Sequence, residues 1–242
     1  NPNYIKNVPL QVFQTWKTKK LPPKMQETVD YNKKNNPEIQ FILYDNQECR
    51  DFIKSNFDTE VLTAFDILKA GAYKADLWRY CILYTYGGAY LDIKFKCEPQ
   101  FKLKDIIRGN FVVKDRSPYF KNNFGIYNAF MIFEPNHPFL LKAIQKVVEN
   151  VKTRFYGYNF LYPTGPGMLG ELYQKNRGDL DLPVIIMTMV GIERKGYNGV
   201  QAYIQYNNQT ILSEYEEYRD EISDKGNHYS VLWNNKKVYD EM

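Results

Sequence analysis

The sequence predicts an α/β fold in which helices cover a largely parallel sheet. The main observation is a β-α-β-α-β order of predicted elements over roughly the first hundred residues, which is typical of parallel strands joined by helical crossovers. The length of 242 residues and the 44% hydrophobic and 25% charged fractions are ordinary for one globular domain. No apolar run reaches about 18 residues, so we expect no membrane span within this chain.

Each element of the first half has a local signal. Alternating apolar and polar residues predict the first strand of the chain, and Asn36-Pro37 ends the helix predicted after it. Asp45 is a helix cap, and Gly87-Gly88 ends a long helix. The predicted elements are a strand at 10–15, a helix at 24–35, a strand at 39–44, helices at 47–56 and 59–86, and a strand at 89–95.

The second half is more mixed. Apolar runs predict strands, and an amphipathic stretch and a glycine-proline turn each introduce a helix. The predicted elements are strands at 111–114 and 126–133, helices at 137–152 and 164–176, and short strands at 184–187, 209–212 and 237–239.

Charge and composition exclude several classes of protein. A net charge of +4, spread along the chain, suits an anionic small ligand better than a nucleic-acid backbone. An odd number of cysteines without a CxxC pair argues against a disulfide scaffold and a cysteine zinc site. Unpaired cysteines favour a cytoplasmic location for this stretch, although a longer parent protein could be anchored in the secretory pathway. The residues concerned are Cys49, Cys81 and Cys97, and the chain has two histidines, His137 and His228.

Two carboxylates and a guanidinium form the richest constellation, within residues 72–94. Asp76 and Arg79 lie three residues apart on one face of the predicted helix. Asp92 follows at the carboxyl end of the next strand, which is where α/β sheets bind ligands. Carboxylates accept hydrogen bonds from vicinal hydroxyls and arginine donates in a fork, so the three would suit a hydroxyl-rich ligand. A surface ion pair worth under about 1 kcal/mol is the structural alternative, and spacing alone leaves both open.

Several motifs, in order along the chain, resemble the DXD-containing glycosyltransferase sugar-binding family. That family includes yeast-type α-mannosyltransferases and, more distantly, the large glucosylating cytotoxins. A match of several blocks in sequence is more specific than any one of them. The matching blocks are Gln14-Thr15-Trp16, Asp76-Leu-Trp-Arg79-Tyr80, Gly87-Gly88, Tyr90-Leu91-Asp92, Asn128-Ala-Phe-Met131, Thr164-Gly165-Pro-Gly167 and the closing pair His228 and Trp233.

The resemblance implies a GT-A-type, Rossmann-like nucleotide-sugar-binding fold with a mixed, mainly parallel sheet. It implies a single domain over 1–242, with a nucleotide-sugar-binding half at 8–100 and an acceptor or closing half at 101–242. Trp16 would stack on the base, Asp76 and Arg79 would hold the donor sugar, and Asp92 would bind ribose or reach a metal. The full donor-binding set that it implies is Thr15, Trp16, Asp76, Arg79, Asp92, Asn128, Gly165 and Trp233.

The motif departs from the family at its third position, where Asp92-Ile93-Lys94 replaces Asp-x-Asp. Three outcomes follow: Asp92, His228 and substrate oxygens hold Mn²⁺ or Mg²⁺, or the Lys94 ammonium neutralises the diphosphate, or Lys94 points away and leaves a site that binds the donor but turns over poorly. An ammonium about 4 Å from one phosphate charge attracts it by about 4 kcal/mol at an effective dielectric near 20. Strand alternation would put Asp92 and Lys94 on one face, which favours the first two outcomes.

The resemblance predicts a glycosyltransferase that moves a hexose from UDP- or GDP-hexose to a hydroxyl of a glycan, glycoprotein or glycolipid, with retention of configuration. Asp76, Arg79, Asp92 and Lys94 would be its catalytic residues. A non-catalytic sugar-nucleotide or glycan-binding protein of the same fold is the alternative, and Lys94 is its support. A dehydrogenase is excluded because the GxGxxG letters at 165–170 lie late in the chain without a βαβ frame.

Overall fold

A computed structural model describes residues 8–115, 119–121, 124–176, 184–193, 200–222 and 228–241. Helices and strands alternate in the first half of the described chain. The last three strands along the chain pair with one another in antiparallel fashion. The strands are β1 (Gln11–Thr15), β2 (Gln40–Tyr44), β3 (Gly88–Leu91), β4 (Phe95–Cys97), β5 (Asn110–Lys114), β6 (Phe130–Phe133), β7 (Val184–Glu193), β8 (Val200–Tyr206) and β9 (Gln209–Glu214). The helices are α1 (Pro23–Asn35), α2 (Asn46–Asn56), α3 (Thr59–Ile67), α4 (Gly71–Tyr86), α5 (Pro138–Lys152), α6 (Pro166–Asn176), α7 (Tyr218–Glu221) and α8 (Tyr229–Asn234).

The nine described strands form one mixed sheet in the order β2-β1-β3-β6-β5-β7-β8-β9-β4. The α/β class and the mixed sheet are confirmed. The expectation of a mainly parallel sheet is wrong, because three strand pairings are parallel and five are antiparallel. The parallel β2-β1-β3 unit comes from the βαβ order of the first half. The β8-β9 hairpin turns at Asn207 and Asn208, whose positive φ angles of 50° and 61° suit a tight turn.

The single helix predicted over 59–86 is two helices, α3 and α4. Leu68 and Ala70 have extended backbone between them, with ψ angles of 123° and 136°. The C-terminal segment pairs with this break: Lys69 N donates to Val238 O at 2.9 Å, and Leu68 forms a β-bridge with Tyr239. The apolar run that suggested a continuous helix therefore contains a short extended piece stabilised by a distant segment. The same bridge replaces the short strand predicted at 237–239.

The strand predicted over 89–95 is also divided. β3 lies between β1 and β6 inside the sheet, whereas β4 pairs with β9 at its far edge. Asp92 to Lys94 form the turn between them, closed by Phe95 N donating to Asp92 O at 3.0 Å. The argument that strand alternation puts Asp92 and Lys94 on one face is therefore wrong, since neither residue is in a strand.

The predicted strand at 126–133 shortens to β6, with Ile126 in an isolated bridge to Lys114. Asp45 caps α2 as predicted, in a capping box with Glu48. Most of the core lies on the face of the sheet covered by α2 to α6, and a second apolar cluster covers the other face. Of the described helices, none is long and apolar enough to cross a membrane. The division of the domain at about residue 100 stays a prediction, because the sheet takes strands from both halves.

Candidate active site

The end of α4 and the start of β3 fix the geometry of the site. Gly87 and Gly88 adopt φ angles of +65° and +100°, which L side chains rarely reach. A Cβ on Gly88 would lie 2.8 Å from the carbonyl oxygen of Gln11, so glycine allows β3 to lie directly against the start of β1. This turn brings the residue after β3, Asp92, back towards the buried face of α4.

Asp76 is a buried carboxylate with a donor at each oxygen. Asn128 Nδ2 donates to its Oδ1 at 2.9 Å, and Thr164 Oγ1 donates to its Oδ2 at 2.7 Å. Burial raises the pKa of Asp76, while the nearby Arg79 charge and these two donors oppose the rise. A Cβ on Gly165 would lie 3.0 Å from Asp76 Oδ2, so the backbone of the 164–165 turn approaches the carboxylate closely because residue 165 is glycine.

Arg79 joins the two carboxylates. Its Nη2 lies 3.4 Å from Asp76 Oδ1, and its Nη1 lies 3.5 Å from Asp92 Oδ1. Nη1 also donates to Asn128 O at 2.7 Å, and the guanidinium lies 4.1 Å from the centre of the Tyr90 ring. Burial opposes its charge, but the Tyr90 hydroxyl and the two carboxylates raise the pKa of Arg79 overall. The side chain is therefore a fixed, fully charged cation.

Asp92 is the most accessible member of this group, with 27% of its side chain exposed. The Tyr90 hydroxyl donates to its Oδ1 at 2.7 Å, and Oδ2 faces Lys94 at 4.0 Å. The structure thus brings together Asp76, Arg79 and Asp92, as the spacing of the motif predicted. It excludes the alternative of a surface ion pair, since the Asp76 and Arg79 side chains are only 13% and 7% exposed.

Lys94 is held between carboxylates. Its Nζ lies 3.7 Å from Glu214 Oε2 as well as 4.0 Å from Asp92 Oδ2, and it lies 5.6 Å from the ring centres of Tyr127 and Tyr218. Burial opposes the charge, but Tyr127 and the carboxylates of Glu214 and Asp92 raise the pKa of Lys94 well above its usual value. The outcome in which Lys94 points away from the site is wrong.

Glu214 was missed by sequence reasoning. It is the last residue of β9, its side chain is 1% exposed, and its Oε1 also lies 3.7 Å from Arg219 Nε. No motif marks it, because its contact with Lys94 depends on the pairing of β9 with β4. Asn128 has two further contacts that sequence could not show: its Nδ2 donates to the Tyr80 hydroxyl at 2.8 Å, and its carbonyl binds Arg79.

The other predicted donor-binding residues lie around this centre. Trp16 follows β1 and is half-buried against the apolar cluster that includes Ile93. The Thr15 hydroxyl donates to Tyr44 O at 3.0 Å, so its side chain is engaged with β2. Trp233 Nε1 donates to Tyr156 O at 2.8 Å, which ties α8 to the loop after α5. These hydrogen bonds join Thr15 and Trp233 to backbone carbonyls away from the carboxylates, and their predicted roles stay predictions.

His228 caps α8, and its Nδ1 lies 2.7 Å from Ser230 Oγ. Burial and the Arg219 charge lower the pKa of His228. Among the described residues, no group of three or more His, Cys, Asp and Glu side chains could hold a metal ion. Asp92 Oδ2 faces the Lys94 ammonium at 4.0 Å, and a protonated Lys94 repels a cation and has no lone pair for a metal. The residues present therefore do not fit a divalent cation at Asp92, and these contacts do not support Asp92 and His228 as a pair of metal ligands.

Comparison with known proteins shows what the fold and the sequence of this chain resemble. The structure superposes on the PaToxG glycosyltransferase with a TM-score of 0.53 at 17% identity, covering 71% of each chain, which confirms the GT-A-type fold. Residues 22–113 match the model of the glycosyltransferase sugar-binding region containing the DXD motif. The resemblance found in the motifs is confirmed: the chain is similar to glycosyltransferases in its fold and in this matched region.

Curated relatives narrow the comparison. The chain is 32% identical over 175 residues to inositol phosphoceramide mannosyltransferase 3 of Schizosaccharomyces pombe, covering 69% of this chain and 45% of the relative. It is 25% identical over 236 residues to inositol phosphoceramide mannosyltransferase 2 of the same yeast, covering 96% and 62%. It is 30% identical over 169 residues to mannosyl phosphorylinositol ceramide synthase SUR1 of Saccharomyces cerevisiae, covering 69% and 42%. The chain thus spans about half the length of the curated relatives that it matches.

Proposed function

We propose that this chain transfers a hexose from a nucleotide-diphosphate sugar to a hydroxyl of a glycosylated acceptor. The observation that carries the proposal is the convergence of Asp76, Arg79 and Asp92 where α4, β3 and the 164–165 turn meet. The similarity to yeast inositol phosphoceramide mannosyltransferases supports mannose as the hexose and an inositol-containing sphingolipid as the acceptor.

The three side chains have distinct roles in this proposal. Asp92, with 27% of its side chain exposed, accepts hydrogen bonds from hydroxyls of the donor. Arg79 holds Asp92 and Asp76 in position, and Asn128 and Thr164 lock the orientation of Asp76. Such a preorganised group orients the sugar without reorganising when the substrate enters, which is how positioning lowers a barrier.

We propose a retaining reaction on one face of the sugar. The acceptor oxygen forms a bond to the anomeric carbon on the side from which the diphosphate oxygen departs. The acceptor's proton passes to the departing diphosphate, which leaves with the electron pair of the broken bond. Arg79 and Lys94, the cations that lie within 4.0 Å of Asp92 in the described part of the chain, stabilise that developing negative charge.

A protein that binds the donor without turning it over is the second candidate. One observation favours it: Lys94 replaces the second aspartate of the motif, and this substitution removes a carboxylate from the site. Donor hydrolysis separates the two, since a steady release of free sugar requires an active site. Hydrolysis that stays at the level of buffer alone would favour the binding protein.

Asp92→Asn tests the proposal. A thermal-shift panel of UDP- and GDP-sugars first identifies the donor, because a ligand at 100 times its dissociation constant stabilises by about 2.7 kcal/mol. With that donor, Asp92→Asn should lower transfer and hydrolysis by at least about 100-fold, since one group positioned for the transition state is worth about this much. Circular dichroism should show an unchanged fold.

Asp66→Asn is the matched control. Asp66 pairs with Arg50 on the surface, with Oδ2 2.7 Å from Nη2, and should leave turnover unchanged. Near wild-type turnover of Asp92→Asn would count against the proposed site. The acceptor is tested by comparing inositol phosphoceramide with ceramide that lacks the inositol headgroup, and only the first should be glycosylated.

A further inference from the structure

The position at which this family carries a second aspartate holds an ammonium in this chain, and that ammonium lies between two carboxylates. Starting from the glycosyltransferase function proposed above, we infer that the chain binds the diphosphate of its donor without a divalent cation. Lys94 is the fixed cation that faces the diphosphate.

The contacts of Lys94 support this placement. Its Nζ lies between two carboxylates, at 4.0 Å from Asp92 Oδ2 and 3.7 Å from Glu214 Oε2, and three aromatic rings lie within 5.6 Å. The Lys94 side chain is 16% exposed, and its Nζ lies 4.0 Å from Asp92, whose side chain is 27% exposed. A cation held in this way needs little reorganisation when an anion binds beside it, and a bound metal ion has the same advantage.

The charges of the cluster give the second argument. Among the described side chains, Lys94 lies between the carboxylates of Asp92 and Glu214, and Arg79 joins Asp92 to Asp76. Aspartate in place of Lys94 would lower the charge at this point by two, which is the charge that one divalent cation supplies. With lysine that charge is already present, and a divalent cation at Asp92 would lie beside the ammonium and be repelled by it.

The wild-type protein gives the first test, with UDP and GDP as probes. We expect isothermal titration to give the same dissociation constant, within twofold, in EDTA and in Mn²⁺. We also expect the electron paramagnetic resonance spectrum of Mn²⁺ mixed with the protein to be that of the free ion. A tenfold loss of nucleotide affinity in EDTA, or stoichiometric binding of Mn²⁺ by the protein alone, would overturn the inference.

Lys94→Asp gives the second test. This variant places a third carboxylate beside Asp92 and Glu214, so it should bind Mn²⁺, lose at least tenfold in nucleotide affinity in EDTA and recover it with Mn²⁺. Lys96→Asp is the control with the same charge change. Lys96 is exposed on β4, 4.4 Å from the ring centre of Tyr31, and this variant should behave as the wild type in both conditions. If Lys94→Asp does not fold, Lys94→Met takes its place and should lose tenfold in affinity whether or not Mn²⁺ is present.

These outcomes distinguish the role of Lys94 from the transferase function. Unchanged nucleotide affinity of the Lys94 variant in EDTA overturns the role of Lys94 and leaves the transferase function intact. Nucleotide binding by the wild type that occurs only with Mn²⁺ likewise overturns the role of Lys94 and leaves the transferase function intact. Failure of every UDP and GDP compound to bind, with and without Mn²⁺, removes the proposed function and this inference with it.

Discussion

Replacing Arg79 by methionine should destabilise the fold far more than an equivalent change on the surface. The guanidinium lies 3.4 Å from one carboxylate and 3.5 Å from another, and each attraction is about 5 kcal/mol at an effective dielectric near 20. Desolvation offsets most of this in the intact protein. Removing the cation leaves Asp76 and Asp92 facing each other without it, and breaking a buried pair in this way costs about 3–5 kcal/mol. We expect Arg79→Met to lose that much free energy of unfolding.

Arg50 and Asp66 provide a control within the same molecule. Their pair is bidentate, with nitrogen to oxygen distances of 2.7 and 2.8 Å, but the two side chains are 37% and 39% exposed. Exposed pairs are worth about 0–1 kcal/mol, so Arg50→Met should cost no more than about 1 kcal/mol. The contrast between the two arginines separates the effect of burial from that of distance, because the pair with the shorter distances is predicted to contribute less to stability.

Urea unfolding followed by tryptophan fluorescence measures both variants, since Trp78 is fully buried beside this region. A double-mutant cycle adds Asp76→Asn to Arg79→Met. The double variant should be more stable than the sum of the single changes predicts by at least about 1 kcal/mol, because the unpaired carboxylate has been removed. If Arg79→Met lost as little free energy of unfolding as Arg50→Met, or if the two changes were additive within about 0.5 kcal/mol, Arg79 would not stabilise the two carboxylates as argued.

Two other predictions concern the turn and the buried hydroxyls. Gly88→Ala should cost about 1–3 kcal/mol in thermal unfolding, because φ is +100° and its Cβ would lie 2.8 Å from a carbonyl oxygen. Gly71→Ala has open space around its Cβ and should leave stability unchanged or slightly raised. Equal losses of stability in the two variants would contradict the idea that residue 88 needs glycine to avoid backbone strain. Burial raises the pKa of Tyr80 and Tyr90 well above 10, so the native state holds protons that the unfolded state releases, and stability should fall as pH rises above about 10. Urea midpoints from pH 8 to 11, with tyrosinate absorbance, test this; full ionisation of the native protein near pH 10 would contradict it.

Local patterns were sufficient to predict the centre of the site. The i, i+3 spacing of Asp76 and Arg79 and the paired glycines after the helix are local features, and they fix how α4 and β3 meet. The same holds for the β2-β1-β3 unit and for most helices, whose caps and proline stops lie in the sequence next to them. Local chemistry sets these elements, and tertiary structure changes them little.

Elements that depend on distant segments were not predictable in this way. The break between α3 and α4 is stabilised by the backbone of residues 238–240, which no property of the helical run reveals. The turn at Asp92 to Lys94 exists because β3 and β4 belong to opposite regions of the sheet. A continuous apolar stretch has the same residue pattern whether it forms one strand or two, so periodicity alone could not show that β3 and β4 are separate strands.

Lys94 shows why a motif has to be read together with its surroundings. In the DXD triplet it suggests the loss of a metal ligand, whereas in the structure its ammonium lies between the carboxylates of Asp92 and Glu214. Glu214 reaches it only because β9 pairs with β4 in the register that opposes Phe95 and Glu214. A change of charge at one motif position can thus be accommodated by a residue from a distant strand. For that reason, the wild-type measurements with and without EDTA are more informative about this chain than the presence or absence of the second aspartate.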